Sequence, residues 1–199
     1  KLLDLNQEQI ARDMRQGHRV VYGVAGSGKT VIIEHRARLL AQEGKRVLIL
    51  CFNNPLAEYL TAKMANQPNI EVSSFGKWAM DQGVGKNLDA EVFGLSLLAK
   101  LDSGMGNSGL YDSILIDEGQ DFANSWFKCA VAALRDRSHS DLLIAYDLSQ
   151  NLYGRPPITW QKVDVSIKGG AGGSRTQRLP VNFRNTFGII SSAKAFSGV

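Results

Sequence analysis

The feature that most constrains this chain is the glycine-rich run G-V-A-G-S-G-K-T at positions 23–30. The run fits the pattern G-x-x-x-x-G-K-[ST] at every position, and it lies between a short apolar stretch and a helical pattern. Glycines let successive backbone N–H groups point at phosphate oxygens, and the helix that follows adds the positive end of its dipole. The run therefore predicts a phosphate-binding loop at a strand-to-helix junction.

The last two positions of the loop carry side-chain chemistry. Lys29 can reach the β- and γ-phosphates of a nucleotide, and the Thr30 hydroxyl can ligate Mg²⁺. An ordinary glycine-rich turn is the alternative, and the strand–loop–helix context argues against it. The residues assigned to phosphate binding are Gly23, Ala25, Gly26, Ser27, Gly28, Lys29 and Thr30.

Short apolar runs alternate with helical patterns along the rest of the chain. This alternation predicts an α/β fold, a parallel sheet with helices on both faces, and 199 residues suit a single domain. In such sheets, ligands bind beyond the carboxyl ends of the strands. The predicted strands are 19–23, 46–52, 70–73, 113–116 and 142–146, and the predicted helices are 5–15, 29–42, 56–65, 75–82 and 122–135.

Two adjacent carboxylates follow the apolar run at 114–116. Asp117 is predicted to hold Mg²⁺, and Glu118 is predicted to activate the water that attacks the γ-phosphate. An acidic loop after a strand is common by itself, but beside a phosphate-binding loop the catalytic interpretation is favoured. Two weaker candidates are Gln150, whose amide can sense the γ-phosphate, and Arg184, a cation for the transition state. Both residue types more often lie on solvated surfaces.

Composition adds a few limits. A net charge of +4 permits binding to a polyanion without proving it. No apolar run is long enough to span a bilayer, so we expect a cytoplasmic protein without a membrane partner. Cys51 and Cys129 lie in apolar surroundings, which predicts buried free thiols. The three histidines show no metal-ligand spacing.

Taken together, these segments resemble the UvrD/Rep-type superfamily 1 DNA helicases, in their first RecA-like motor domain. The resemblance covers nearly the whole chain, and its most specific part is the D-E-x-Q-D form at 117–121. The family's motifs occur in order at 5–9 (Q motif), 23–30 (I), 50–54 (Ia), 72–75 (Ib), 117–121 (II), 146–153 (III) and 179–185 (IV).

The resemblance implies a P-loop NTPase fold with ATP and Mg²⁺ as cofactors. It also implies single-stranded DNA as partner, with RNA not excluded, and a second motor domain in the parent chain. Gln9 and Phe183 would hold adenine, while Gln150 and Arg184 would contact the γ-phosphate. The implied strand-contacting residues are Phe52, Asn53, Phe75 and Tyr153.

The chain also departs from the family pattern. Val31 stands where the family usually has Arg, Pro55 where it has Lys, and Arg155 where it has a stacking Trp. Only the 41 residues 76–116 separate motifs Ib and II, so the helical insertion known as 1B should be reduced or replaced around 81–110. We expect the Gly/Ser-rich stretches 102–109 and 169–174 to be flexible loops or linkers.

These observations favour the ATP-binding motor domain of a helicase, treated as one domain over 1–199, in a bacterial cytoplasm or nucleoid. Motifs V and VI do not occur in these residues, so we expect ATP hydrolysis in the parent protein and no unwinding by this segment alone. Two alternatives stay open. One is a P-loop phosphotransferase acting on a small molecule, and the other is a non-catalytic platform for nucleotide or nucleic acid.

Overall fold

The computed structural model describes residues 17–87, 89–147, 149, 158–167 and 175–179. Within these ranges the chain alternates strands and helices. The strands are β1 (His18–Tyr22), β2 (Val47–Cys51), β3 (Ile70–Ser74), β4 (Ser113–Ile116), β5 (Asp141–Tyr146) and β6 (Thr176–Arg178). The α-helices are α1 (Lys29–Gln42), α2 (Asn54–Met64), α3 (Phe75–Asp81), α4 (Ala90–Asp102) and α5 (Asn124–Ala133). Short 3₁₀ helices span Gly119–Asp121 and Trp160–Val163.

All strand pairs in the described residues are parallel, in the order β3-β2-β4-β5-β1-β6. The central strands β2 and β4 are buried at every position, because helices cover both faces of the sheet. The carboxyl ends of β1, β4 and β5 therefore lie side by side at one edge. This confirms the predicted α/β fold and places the phosphate-binding loop next to the acidic segment.

The strand residues alternate between two apolar layers, as the two-residue period of a strand requires. Leu48 and Leu50 face the layer that contains α3, α4 and α5, whereas Ile49 and Cys51 face the layer that contains α1 and α2.

Cys51 and Cys129 are both buried free thiols, as predicted. None of the helices in the described ranges has the length and apolar character that crossing a bilayer requires.

Most predicted elements are present with boundaries shifted by one or two residues, and the predicted helix 5–15 lies outside the described residues. One predicted helix needs correction, and one helix was missed. The expected helix at 122–135 is shorter, since Phe122 and Ala123 are extended before α5 begins and Leu134 is extended after it. Helix α4 was not predicted at all, and it supplies much of the segment between β3 and β4.

The glycine-rich stretch after α4 forms hydrogen-bonded turns. Gly104, Gly106 and Gly109 all have positive φ, which favours glycine. The Asn107 N–H donates to Gln82 Oε1 at 2.8 Å, and its side-chain amide donates to the Tyr111 hydroxyl at 3.0 Å. The predicted flexible stretch at 102–109 is thus tied to the residue that follows α3 and to a residue just before β4. The other predicted flexible stretch, 169–174, lies outside the described residues.

Candidate nucleotide-binding site

The loop between β1 and α1 depends on glycine at several positions. Gly28 precedes α1 with φ 92°, and Gly26 has φ 81°, both in the left-handed region. A Cβ at Gly23 would lie 2.3 Å from Ser27 Oγ and 3.2 Å from Leu179 Cβ, so a side chain there would force these neighbours to move. The Ser27 N–H donates to the Val24 carbonyl at 3.1 Å. The G-x-x-x-x-G-K-T spacing therefore matches the backbone that the fold builds.

Lys29 folds back over this loop. Its Nζ donates to the carbonyls of Gly23 at 2.7 Å and Val24 at 3.1 Å, and it lies 3.4 Å from Asp147 Oδ2. The side chain is almost fully buried, so its charge is stabilised mainly by these oxygens. The ammonium is thus held at the carboxyl edge of the sheet, beside the ends of β1 and β5.

Asp117 is completely buried at the end of β4. Burial and, secondly, the neighbouring Glu118 carboxylate raise its pKa to about 6, against the opposing influence of the nearby Thr30 hydroxyl and the Lys29 ammonium. Its Oδ1 accepts the Glu118 N–H at 3.0 Å, while Oδ2 has no hydrogen-bond partner among the described residues.

The unpartnered Oδ2 of Asp117 is a candidate ligand for the predicted Mg²⁺ ion. A buried carboxylate oxygen beside a threonine hydroxyl is a hard-oxygen donor set of the kind that Mg²⁺ prefers. The cation would also offset the cost of burying the Asp117 charge, which otherwise raises the pKa of this group. Asp117 and Thr30 therefore fit a magnesium ion by the chemistry of their donors.

Glu118 adopts a left-handed backbone conformation with φ 53°, which is costly for a residue other than glycine. Its Oε2 accepts the side-chain N–H of Gln120 at 2.6 Å. Gln120 in turn accepts the backbone N–H of Asp147 at 3.0 Å through Oε1. The amide thereby connects the carboxylate after β4 to the residue that follows β5, and it orients Glu118.

Asp147 is a fully buried carboxylate that the sequence-based site did not include. Its Oδ1 accepts both the backbone N–H of Ser149 at 2.9 Å and the Ser149 hydroxyl at 2.6 Å. Its other oxygen faces Lys29. The signal available in the sequence was a polar residue directly after the apolar run of β5, but its partner could be known only from the order of the strands.

The described site carries an excess of negative charge. Lys29 pairs with Asp147 and lies close enough to Asp117 to lower the pKa of that carboxyl, while Glu118 adds a third carboxylate beside Asp117. A polyphosphate that binds at this edge of the sheet would be repelled by these carboxylates. A divalent cation held by Asp117 and Thr30 removes the imbalance, which agrees with the donor chemistry.

Two of the predicted strand-contacting residues lie at the carboxyl end of β2. The half-buried Phe52 ring stacks against Trp126, with centroids 6.0 Å apart and planes 27° apart. Asn53 is exposed and caps α2, its Oδ1 accepting the Leu56 N–H at 3.0 Å. A cavity of about 350 Å³ opens beside Trp126 and also has Lys86 in its lining.

Phe75 requires a correction, because it is completely buried. Its ring stacks on Trp126 with centroids 4.2 Å apart and planes 7° apart, and it also packs edge-on against Phe93 and Phe122. A base cannot stack on Phe75 without breaking this aromatic cluster. Phe75 is therefore a core residue, and the same holds for Trp78, which is 1% exposed.

The fold brings the loop residues 23–30 together with Asp117 and Glu118, as the strand order requires. Gln120 and Asp147 join them, although the sequence had not given either residue a role. The remaining predicted site residues lie outside the described part of the chain: Gln9, Gln150, Tyr153, Phe183 and Arg184.

A protein-family model described as an AAA domain (AAA_19) matches residues 6–156 of this chain. Among curated proteins, the DNA replication ATP-dependent helicase/nuclease DNA2 of Saccharomyces cerevisiae is 34% identical over 76 residues. That match covers 37% of this chain and 5% of the yeast protein.

Solved structures with similar folds include two Pif1 proteins. Pif1 of Bacteroides, in a crystal structure bound to single-stranded DNA, has a TM-score of 0.53 and 16% identity over 96% of this chain. The Pif1 helicase of Candida albicans has a TM-score of 0.56 and 18% identity over 92% of this chain. This chain spans 45% and 41% of those two chains, respectively. At these identities the likeness shows a shared fold, that of a RecA-like P-loop NTPase.

Proposed function

The chain belongs to the AAA domain family, and from this premise we propose that it is the ATP-binding motor domain of a superfamily 1 DNA helicase or translocase. The observation that carries the proposal is the convergence of Lys29, Asp117 and Glu118 at the carboxyl edge of a parallel sheet, around a phosphate-binding loop. Within superfamily 1, the D-E-x-Q-D form at 117–121 supports the UvrD/Rep type.

In this proposal the phosphate-binding loop binds the nucleotide phosphates, and the carboxylates serve the hydrolysis of the γ-phosphate. Backbone N–H groups of the loop and the Lys29 ammonium hold the β- and γ-phosphates. Thr30 and Asp117 hold Mg²⁺, which supplies neutralisation of the charge that develops on the transferred phosphoryl group. The nucleotide's adenine and γ-phosphate contacts would be completed by Gln9, Gln150, Phe183 and Arg184.

Glu118 acts as the general base towards the attacking water. Its half-buried position and its hydrogen bond from Gln120 hold the carboxylate in one orientation, and the strained backbone at φ 53° brings it out of line with the strand. When the water attacks the γ-phosphorus, Glu118 accepts the proton and the bond to the β–γ bridging oxygen breaks. Transfer to water distinguishes this function from that of a phosphotransferase, which would deliver the phosphoryl group to another acceptor.

Single-stranded DNA is the proposed partner, with RNA as the alternative polymer. Phe52 and Asn53 lie at the same edge as the nucleotide site, and the adjoining cavity offers Trp126 as an aromatic wall and Lys86 as a cation for a phosphate. Tyr153 would add a further contact with the strand.

We further propose that a second motor domain in the parent protein, in a bacterial cytoplasm or nucleoid, closes on ATP and moves the strand.

The test is phosphate release from ATP by this chain, with and without single-stranded DNA, beside Glu118→Gln. We expect turnover that rises with DNA, and a loss of roughly 10²- to 10⁴-fold in the variant while MgADP binding is retained. Glu58→Gln, at an exposed position on α2, is the matched control and should match the parent chain.

Three results would contradict the proposal. Equal turnover in Glu118→Gln and in the parent chain would mean that Glu118 is not the general base. Phosphate appearing only on an added small-molecule acceptor would favour the phosphotransferase. Nucleotide binding without turnover, even with the full parent protein and DNA, would favour the non-catalytic platform.

A further inference from the structure

The Lys29 ammonium has three hydrogen atoms and three oxygen partners. It donates to the carbonyls of Gly23 and Val24 and faces the carboxylate of Asp147 at 3.4 Å. All of its donor capacity is therefore used inside the protein. A phosphate oxygen that binds Lys29 has to replace at least one of these partners.

Asp147 is the partner whose loss matters most. Its carboxylate is fully buried, and within the described residues the cation paired with it is Lys29. A buried carboxylate that loses its cation keeps the cost of desolvation without the compensating attraction. The pair thus opposes movement of Lys29 towards a ligand more strongly than the two loop carbonyls do, because a neutral carbonyl that loses its donor leaves no uncompensated charge.

We propose that Asp147 is a positioning residue that retains Lys29 in a withdrawn position and competes with nucleotide phosphate for it. This inference rests on the proposed function, because it requires that a nucleotide phosphate be the ligand of Lys29. It assigns a role to a buried charged group that the hydrolysis steps above do not use.

The same residue is connected to the general base. The Asp147 N–H donates to Gln120 Oε1 at 3.0 Å, and the Gln120 amide donates to Glu118 Oε2 at 2.6 Å. A change in how Asp147 is held when Lys29 leaves would therefore act on the orientation of Glu118. Ser149 anchors the other carboxylate oxygen through two hydrogen bonds, so the pair with Lys29 is the part of the arrangement that a ligand can break.

The experiment is a double-mutant cycle on MgADP affinity, measured by calorimetric titration of this chain. Asp147→Asn keeps the size of the side chain and leaves the backbone N–H to Gln120 in place, but it removes the charge that holds Lys29. We expect Asp147→Asn to bind MgADP about fivefold more tightly than the parent chain. In a Lys29→Met background the same substitution should change the affinity less than about twofold.

The Lys29→Met background separates competition from a general charge effect. Tightening of the same size in both backgrounds would mean that Asp147 simply repels phosphate, and it would overturn the inference. Unchanged or weaker binding in Asp147→Asn alone would overturn it as well. Asp147→Ser provides a second test of the same prediction if the Asn variant does not fold, as judged by its circular dichroism.

The cycle also separates this inference from the proposed function. A parent chain that binds MgADP, and loses affinity in Lys29→Met, upholds the nucleotide site whatever Asp147→Asn shows. A parent chain that does not bind MgADP at all would contradict the proposed function, and the inference about Asp147 would fall with it.

Discussion

The Thr30 hydroxyl lies beside the buried Asp117 carboxylate and is the uncharged one of the two proposed magnesium ligands. If these two residues hold Mg²⁺, Thr30→Val should weaken ADP binding by roughly tenfold when magnesium is present and change it little in EDTA. Titration of ADP under the two conditions measures the difference. Thr61→Val, which loses a hydroxyl bonded to the Ala57 carbonyl in α2, is the control.

An equal loss of affinity with and without magnesium would contradict this assignment, because it would mean that the threonine serves the loop backbone or the phosphate rather than the metal. A loss of the same size in Thr61→Val would point to general destabilisation of the fold.

His18 at the start of β1 is 1% exposed, and its Nδ1 accepts the Ser166 N–H at 3.0 Å. Burial and, to a smaller extent, the charge on Arg175 lower its pKa to about 4. As pH falls from about 6.5 towards 4, His18 becomes protonated in the unfolded chain while it stays neutral in the folded chain. The free energy of unfolding should therefore fall by about 1 kcal/mol per pH unit from this group alone.

Urea unfolding at pH 7 and pH 5 tests this pH dependence. His18→Asn keeps an acceptor for the Ser166 N–H but does not titrate, so the stability difference between the parent chain and the variant should shrink at pH 5. His139→Asn, at an exposed position, is the control. A difference that stays constant between the two pH values would contradict this prediction, because it would mean that His18 takes up its proton at the same pH in the folded and in the unfolded chain.

Helices α4 and α5 pack at close range where a glycine allows it. A Cβ at Gly94 would lie 2.2 Å from Ser125 Oγ and 2.7 Å from Trp126 Cδ1. Gly94→Ala should therefore lower the free energy of unfolding by about 1–3 kcal/mol, as measured in urea. Gly76→Ala is the matched control, since Gly76 is also helical and has no atom within 4 Å of its Cβ position.

If Gly94→Ala is as stable as Gly76→Ala, the two helices can separate without cost, and α4 is not a fixed part of the core. The control itself should be neutral or slightly stabilising, because alanine has the higher helix propensity.

The start of α5 shows why one boundary could not be predicted. The residue before the helix, Ala123, offers no side chain for capping. The first N–H groups are instead accepted by the Glu91 carboxylate of α4, at 2.7 Å from Asn124 and 2.9 Å from Ser125. A cap from another helix leaves no local signal in the sequence, whereas the Asn53 cap of α2 is local.

Helix α4 was missed for a related reason. Its apolar residues do not form a single buried stripe, since Val92 is 46% and Leu95 is 53% exposed. It also contains Gly94, which lowers helix propensity. By contrast, α1 and β4 were predicted with the observed boundaries, because a phosphate-binding loop fixes the start of one and a fully buried apolar run defines the other.

The sequence was sufficient to predict that the phosphate-binding loop and the acidic segment lie at one edge of the sheet, since each follows a parallel strand. It was not sufficient for Gln120 and Asp147, whose roles depend on hydrogen bonds between the ends of neighbouring strands. It was misleading for Phe75, because a motif position says nothing about the aromatic cluster that encloses the side chain.

If this edge of the sheet binds nucleotide phosphate through Lys29, equilibrium titration of MgATP into the chain should show it. We predict saturable binding that is at least about tenfold weaker in Lys29→Met. Lys77→Met, on the exposed face of α3, should bind as the parent chain does. Equal affinity in Lys29→Met and the parent chain, or no binding by either, would contradict the claim.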